Sequence, residues 1–132
     1  DRNVTIKSVS ANLLDRVVMP DSHLKIIPTA PAKGKERETA AQALSDFAYR
    51  AYRRPVTPDE VNALMKVYDL VTKAGEPFER GMQVALQAIL VSPNFLFKVE
   101  TDPPQTKADR DLNPYEIATR LSYFIWSSTP DD

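Results

Sequence analysis

Four short helix-start signals constrain the fold of this chain more than any other feature of its sequence. Each places a small polar residue directly before a proline, and the polar residues are Thr57, Ser92, Asn113 and Thr129. Such a side chain can accept a hydrogen bond from a free N–H of the first turn, and proline suits the first helical position. In three of the four signals a carboxylate follows three residues after the polar one, which completes a capping box. The sequence therefore predicts a helix directly after each signal.

Apolar residues recur at helical spacing between these signals. We predict helices over 36–54 and 58–73, a third from Pro77, a short one after Ser92 and a further one after Asn113, with Gly75 as a left-handed stop. The predicted fold class is all-α, a small bundle of four to five helices, with the third helix the most buried. The predicted shared core consists of Leu44, Phe47, Leu64, Tyr68, Met82, Leu86, Ile89 and Phe95.

The first thirty residues follow a different pattern. Val4 and Ile6 alternate with polar residues, and the sequence HLKII carries Leu24, Ile26 and Ile27. Alternation with β-branched residues favours short strands, so we predict a short β or extended segment at the N-terminus. A proline- and glycine-containing linker follows over 28–35.

These changes in pattern divide the chain into three regions. We predict an extended or β tail of a preceding module over 1–30, a helical bundle domain over 31–101, and a linker with the first helix of a following domain over 102–132. The last signal, Thr129 to Asp132, predicts a helix that lies beyond the given sequence. We therefore expect the chain to be a fragment, and expect self-association through its C-terminal helix, or a poorly held helix there, where its apolar side is left uncovered.

Charge and composition disfavour several classes of function. The chain has 17 basic and 18 acidic residues, a formal net charge of -1, whereas nucleic-acid-binding domains usually carry a basic excess. It contains no cysteine, which excludes disulfides, thiolate zinc ligands and covalent haem attachment within it. No apolar run approaches the roughly 20 residues that cross a bilayer. We expect no cofactor in this chain, no nucleic-acid partner and no membrane insertion.

An arginine cluster at the end of the first long helix is the most suggestive group for chemistry. Arg50, Arg53 and Arg54 alternate with tyrosines, and guanidinium groups can bind phosphate, sulfate or carboxylate. The favoured interpretation is structural: arginines complement the end of a helix dipole and pair with Asp59 or Glu60 at the start of the next helix. The alternatives are an anion site or an interdomain contact.

The remaining candidates give no catalytic or metal site. His23 is the only histidine, and one histidine without cysteine makes a poor metal site. The aromatic side chains near the C-terminus could stack on a sugar or a cofactor, but we interpret them as a surface on which a neighbouring domain docks. These docking residues are Tyr115, Tyr123, Phe124 and Trp126.

Three long stretches resemble known families: FAYRAYRRPVTPDEV, ALQAILVSPNFLFKVE and LNPYEIATRLSYFIWSSTPDD. They are similar to the helical domain of unknown function 1595, followed by the first helix of domain of unknown function 1592. The resemblance covers 36–132. Relatives often have cysteines shortly before the first helix, whereas the sequence IIPTAPAKGK has none, so any disulfide at that point is absent.

The resemblance implies the kind of protein and the cellular location in which this chain occurs, but it assigns no catalytic residues. Such domains occur in large exported multidomain proteins typical of planctomycetes, often with a cytochrome-c-type haem domain elsewhere. We therefore expect a periplasmic or cell-surface location and a non-catalytic structural or interaction module, whose partners are neighbouring domains of the same protein. The alternative is an enzyme: part of the active site of a secreted redox or polysaccharide-acting protein, completed by other domains and lined by the arginines and Trp126.

Overall fold

The chain folds as a small all-α structure. The computed structural model describes residues 19–27, 30–98, 100 and 110–130, and within them it contains six helices and no strand. The helices are α1 (Asp21–Ile26), α2 (Glu36–Tyr52), α3 (Pro58–Lys73), α4 (Phe78–Leu90), α5 (Pro93–Leu96) and α6 (Pro114–Trp126). The predicted fold class is confirmed. None of the helices in this described part has the length and apolarity that a membrane crossing requires.

The helix-start signals act as predicted at three sites. Thr57 and Asn113 each accept a hydrogen bond from the amide of the glutamate three residues later, and each glutamate accepts in return from the cap amide. Ser92 caps α5 by accepting from the Asn94 amide. Two reciprocal hydrogen bonds satisfy amides that the helix itself leaves unpaired, so local sequence alone fixes where α3, α5 and α6 begin.

Replacing Thr57 by alanine should lower the free energy of unfolding by about 1 kcal/mol. The Thr57 Oγ1 lies 3.3 Å from the Glu60 amide nitrogen that it caps, and alanine leaves that amide without its partner. Thr57→Ser is the matched control, since it keeps the hydroxyl and should be close to the wild type. Urea titrations of both variants provide the measurement, and equal midpoints for alanine and serine would contradict the assignment.

The core lies where α2, α3 and α4 pack on one another, and α5 contacts α2 and α4. Its buried apolar side chains are Ile27, Ala40, Ala43, Leu44, Ala48, Ala51, Tyr52, Leu64, Met65, Tyr68, Met82, Ala85 and Ile89. The alanines on α2 and α4 allow the helices to approach closely. Gly81 also lies at a close approach of α4 to α3, because a Cβ placed there would lie 2.8 Å from the Tyr68 ring.

The predicted core is a single cluster, with three members at its edge. Phe47, Leu86 and Phe95 are only partly buried and pack against the buried set. The prediction that α4 is the most buried helix was wrong: α2 contributes six buried residues and α4 contributes four. The reason is length, since α2 has 17 residues and α4 has 13, and both helices contact the other helices of the core.

Two boundary predictions were wrong and one was confirmed. The HLKII sequence lies in helix α1, not in a strand, and Ile27, directly after the helix, is buried in the core. Helix α2 ends at Tyr52, two residues earlier than predicted, because Arg53 adopts a left-handed conformation with φ 58°. Gly75 has φ 89° after α3, as predicted. The strand predicted around Val4 and Ile6 lies outside the described residues.

Candidate functional site

An arginine and a glutamate extend the capping box of α3. We call Arg54, Thr57 and Glu60 the α3 cap cluster. The two guanidinium Nη atoms of Arg54 lie 3.1 and 2.7 Å from the two carboxylate oxygens of Glu60. The Glu60 Oε2 atom also accepts from the Thr57 amide at 2.9 Å. Arg54 therefore lies beside Glu60, as predicted, and its structural role stays a prediction.

The same arrangement recurs at the start of α6. We call Arg110, Asn113 and Glu116 the α6 cap cluster. Both Nη atoms of Arg110 lie 2.8 Å from the Glu116 carboxylate oxygens, and Glu116 accepts from the Asn113 amide at 2.8 Å. In both clusters the arginine also donates to the carbonyl of the residue that follows it. One sequence pattern, with an arginine three residues before the cap, builds both sites.

Each cluster holds its glutamate in the ionised form. Hydrogen bonding from Arg54, with a smaller contribution from the Thr57 amide, lowers the pKa of Glu60 to about 2. Hydrogen bonding from Arg110, followed by that from the Asn113 amide, lowers the pKa of Glu116 to about 2. A carboxyl group with so low a pKa stays charged at neutral pH, so neither glutamate is suited to donate a proton.

The two depressed pKa values predict an acid-sensitive fold. A glutamate in the unfolded chain has a pKa of about 4.3. The stability that the clusters contribute is therefore full above that value and falls as the pH drops from about 5 towards 2. We expect the thermal midpoint to fall over this range, and to do so less steeply in the Glu60→Gln variant, which should already be less stable at pH 7.

Melting curves from pH 7 to pH 2 measure this dependence. Glu38→Gln, which changes an exposed glutamate in the first turn of α2, is the matched control and should retain the wild-type slope. A Glu60→Gln variant whose midpoint follows the wild-type curve at every pH would show that the Arg54 contact contributes nothing.

Helix α5 is fastened to the α3 cap cluster by polar side chains. Asn94 donates to the Glu60 carboxylate at 3.2 Å. The Arg53 guanidinium donates to the carbonyls of Asn94, Phe95 and Phe97, with the shortest distance, 2.9 Å, to Phe97. These carbonyls lie at the end of a four-residue helix, which cannot satisfy them internally. Arg53 thus serves as a cap for α5.

A cleft of about 290 Å³ lies between the bundle and α6. Its bundle wall includes Tyr52, Arg53 and Asn94, and its α6 wall includes Tyr115 and Thr119. The remaining lining residues are Arg54, Pro55, Lys98, Glu100, Asn113 and Glu116. The charged groups Arg53, Arg54 and Glu116 of this lining already have partners within the protein.

The other predicted candidates do not join this cleft. Arg50 is exposed and outside its lining, so the three arginines do not converge on one point. His23 lies half-buried in α1. Within the described residues, no group of three or more histidines, aspartates and glutamates is arranged to hold a metal ion.

Helix α6 is attached to the rest of the chain by charged and polar contacts. Arg120 binds Glu100 through two hydrogen bonds of 2.7 and 2.6 Å. The Lys98 Nζ atom lies 3.8 Å from the centre of the Tyr123 ring, a cation–π contact. Of the described α6 residues, Thr119 alone is buried, and none belongs to the apolar core cluster.

The apolar side of α6 faces away from these contacts. We call Ile117, Leu121, Phe124 and Ile125 the outer ridge. Their spacing of four, three and one residues places them along one side of a helix, and all four are exposed, Phe124 to 88%. Thr119 is buried on the opposite side. An amphipathic helix usually packs its apolar side on the core. In α6 this arrangement is reversed, because the apolar side is exposed and the polar side faces the bundle.

The predicted docking residues divide into two groups. Tyr115, Phe124 and Trp126 are exposed, Trp126 to 76%. Tyr123 is half-buried beneath Lys98 and serves the attachment of α6. Ile117, Leu121 and Ile125 are exposed beside Phe124 on the outer ridge, whereas Trp126, seven residues after Thr119, lies on the Thr119 side of the helix. The docking role of these residues stays a prediction.

Several residues of the site were missed in the sequence. Arg110, Arg120 and Glu100 form the ion pairs that position α6, and Asn94 connects α5 to Glu60. The repeated arginine three residues before each cap was a signal that could have revealed Arg110. No comparable sequence signal indicates that Glu100 and Arg120, twenty residues apart, lie together.

Comparison with protein families locates two regions along the chain. Residues 39–100 match the model described as a protein of unknown function, DUF1595. Residues 112–132 match a second model, described as a protein of unknown function, DUF1592. Searches of curated proteins and of solved structures found no significant match. The α3 cap cluster thus lies in the first region, and the cap residue and glutamate of the α6 cluster lie in the second.

Proposed function

Because the chain joins a DUF1595 region to a DUF1592 region, we propose that it is a non-catalytic structural and interaction module of a multidomain protein. In this proposal α2 to α5 form a rigid support, and α6 presents the outer ridge to a neighbouring domain of the same protein. The observation that carries the proposal is the reversed order of α6, whose apolar side is exposed while its polar side faces the bundle.

The exposed ridge favours a binding role on energetic grounds. Burying apolar surface contributes about 25 cal/mol per Å², so four large side chains left in water forgo a substantial stabilisation. Contiguous apolar patches of more than a few hundred Å² are uncommon on soluble monomers unless they bind something. A partner that covers Leu121 and Phe124 would recover that stabilisation.

The charged groups beside the cleft support a structural role over a catalytic one. Arg54 and Arg110 are each paired with a glutamate held ionised. Arg53 donates to backbone carbonyls. Groups engaged in this way set the positions of helix ends and hold no free proton or cation for a substrate.

The cleft favours one alternative, in which this region completes the active site of a redox or polysaccharide-acting enzyme. Tyr115 is the exposed aromatic residue of its α6 wall and could stack on a ligand. Two variants of the parent protein separate the proposals. The module proposal predicts that Phe124→Asp disrupts domain association and Tyr115→Ala does not. The enzyme proposal predicts that Tyr115→Ala abolishes turnover while the domains remain associated.

The family resemblance extends the proposal to the cellular setting. We propose that the parent protein is exported to the periplasm or cell surface and carries haem in another domain. Fractionation of the source cells tests the location, and a CxxCH motif in the parent sequence tests the haem. Recovery of the parent protein in the cytoplasmic fraction would refute the location.

Self-association of the isolated chain tests the module proposal. We expect the mass measured by light scattering to rise above 14.8 kDa with concentration, because two outer ridges can cover one another. Phe124→Asp should leave a monomer with unchanged helix content. Leu70→Asp, which changes an exposed leucine on α3, is the matched control and should still associate.

A second outcome is also consistent with an uncovered ridge: a monomer in which α6 is poorly held and its amides exchange quickly. A chain that remains monomeric at high concentration, with α6 amides as protected as those of α4, would refute the proposal. In that case the ridge would need no partner.

A further inference from the structure

The cleft between the bundle and α6 is lined by two buried residues whose hydroxyl groups have no partner. Tyr52 on α2 is 7% exposed and Thr119 on α6 is 9% exposed. Neither side chain makes a hydrogen bond with any residue in the described part of the chain, and neither hydroxyl oxygen is sealed in the interior. Because buried polar groups nearly always have a hydrogen-bond partner, something that enters the cleft, water or a ligand, must supply it.

The charge around this cleft is positive. Three arginines in or beside its lining are each paired with a glutamate. Two further cations of the lining, Arg53 and Lys98, have no carboxylate partner among the described residues. Arg53 donates to neutral backbone carbonyls, which do not cancel its charge, and the Lys98 Nζ atom contacts the Tyr123 ring. Two uncancelled positive charges beside one small space favour an anion there.

The α6 wall of the cleft carries its groups in a row. Tyr115, Thr119 and Tyr123 recur every four residues, which places them on one side of the helix about 6 Å apart along its axis. The exposed ring of Tyr115 is at one end of the row, and Lys98 covers Tyr123 at the other end. The wall therefore presents a flat apolar surface, a hydroxyl group and an ammonium group in succession.

We propose that the cleft binds a small organic anion with a planar body. The oxyanion lies between the Thr119 hydroxyl and the Lys98 ammonium, the planar body packs on Tyr115, and Tyr52 donates a hydrogen bond from the bundle wall. The cleft volume of about 290 Å³ is at the lower end of small-molecule sites and suits a single ring with its substituent. This inference goes beyond the proposed module role and does not depend on the outer ridge, which lies on the other side of α6.

Such a ligand would fasten α6 to the bundle. It contacts Tyr52 on α2 and Thr119 on α6 together, so it binds only while α6 is docked. No described residue of α6 belongs to the apolar core cluster, and a ligand that selects the docked state stabilises it in proportion to its occupancy. The anion thus controls how firmly α6 is held.

NMR titration of the 132-residue chain, at a monomeric concentration and constant ionic strength, tests the site. The probes are benzoate, phenyl phosphate and benzenesulfonate, with benzamide as the neutral match to benzoate. We expect shifts at the amides of Tyr52, Asn94 and Thr119, and about tenfold tighter binding of benzoate than of benzamide, because a hydrogen bond to a charged group is the stronger one. The tightest of the three anions identifies the oxyanion that the cleft prefers.

Three variants test the assigned contacts. Lys98→Met should weaken benzoate binding about tenfold and leave benzamide unchanged, whereas simple detachment of α6 would weaken both. Tyr52→Phe and Thr119→Val each remove one hydroxyl with little change of shape and should weaken benzoate binding about fivefold. Lys66→Met on α3 and Tyr49→Phe on α2 change exposed residues outside the lining and are the matched controls.

Hydrogen exchange tests the fastening of α6. At a benzoate concentration ten times its dissociation constant, the α6 amides should exchange about tenfold more slowly, while the α4 amides keep their rates. Bound benzoate that leaves α6 exchange unchanged would refute the fastening. Equal affinities for benzoate and benzamide would refute the anion site, and no shift at the cleft with any of the four probes would mean that water alone fills it. Each of these results would leave the outer ridge and the module proposal unaffected.

Discussion

Replacing Ile89 by alanine should lower the free energy of unfolding by about 2–5 kcal/mol. Ile89 is fully buried on α4, among the largest completely enclosed side chains in the described part of the chain. Alanine removes three carbon atoms from the centre of a packed cluster, and the surrounding helices can close the resulting cavity only in part. Urea or guanidinium denaturation provides the measurement.

Leu86→Ala is the matched comparison on the same helix. Leu86 is only partly buried and lies at the edge of the core, so its loss should cost clearly less than that of Ile89. Leu90→Ala, at a site 42% exposed, should cost least of the three. The order Ile89, Leu86, Leu90 is the expected result, and equal effects at all three positions would show that α4 is not packed as described.

Replacing Gly81 by valine should destabilise the protein by about 1–3 kcal/mol or more through overpacking. A Cβ at Gly81 would lie 2.8 Å from Tyr68 Cδ2 and 2.9 Å from Thr72 Cγ2. Tyr68 is buried and packs edge-on against Phe78, with ring centres 6.1 Å apart, which limits how far its ring can move. The added side chain must therefore push α3 and α4 apart.

Two further substitutions separate this contact from helix propensity. Gly81→Ala gains up to about 1 kcal/mol of propensity, which offsets part of the clash, so it should be milder than valine. Gln87→Val places the same β-branched residue at an exposed position of α4 and should have little effect. The measurement is the thermal midpoint of unfolding. If Gly81→Val lowers the midpoint no more than Gln87→Val does, the close approach at Gly81 is contradicted.

Local chemistry explains which parts of the fold could be predicted from the sequence. The starts of α3 and α6 depend on three or four consecutive residues, such as Thr57, Pro58 and Glu60, and were correctly predicted. The HLKII sequence is too short for its periodicity to decide between helix and strand. Ile26 at the end of its helix and Ile27 directly after it pack against the bundle, a contact that depends on residues far away in sequence.

The arrangement around α6 could be predicted only in part. The spacing of its apolar residues predicts that they lie on one side of the helix. The spacing does not predict whether that side faces the bundle or the solvent. The direction depends on contacts that join separate segments, such as Arg120 with Glu100 and Lys98 with Tyr123. The apolar side of an amphipathic helix is normally the buried side. In α6 the polar side faces the bundle instead.

The attachment of α6 has a mechanical consequence. The described contacts of α6 with the preceding residues run through long side chains at its edge, Arg110, Lys98 and Arg120, while α2, α3 and α4 share an interlocked apolar core. Under tension applied at the C-terminal end, the edge contacts would break first, one after another, and the interlocked helices would remain folded. High salt would lower the force required, because screening weakens exposed charge pairs. We therefore expect the segment that carries α6 to yield at a lower force than the packed helices α2, α3 and α4.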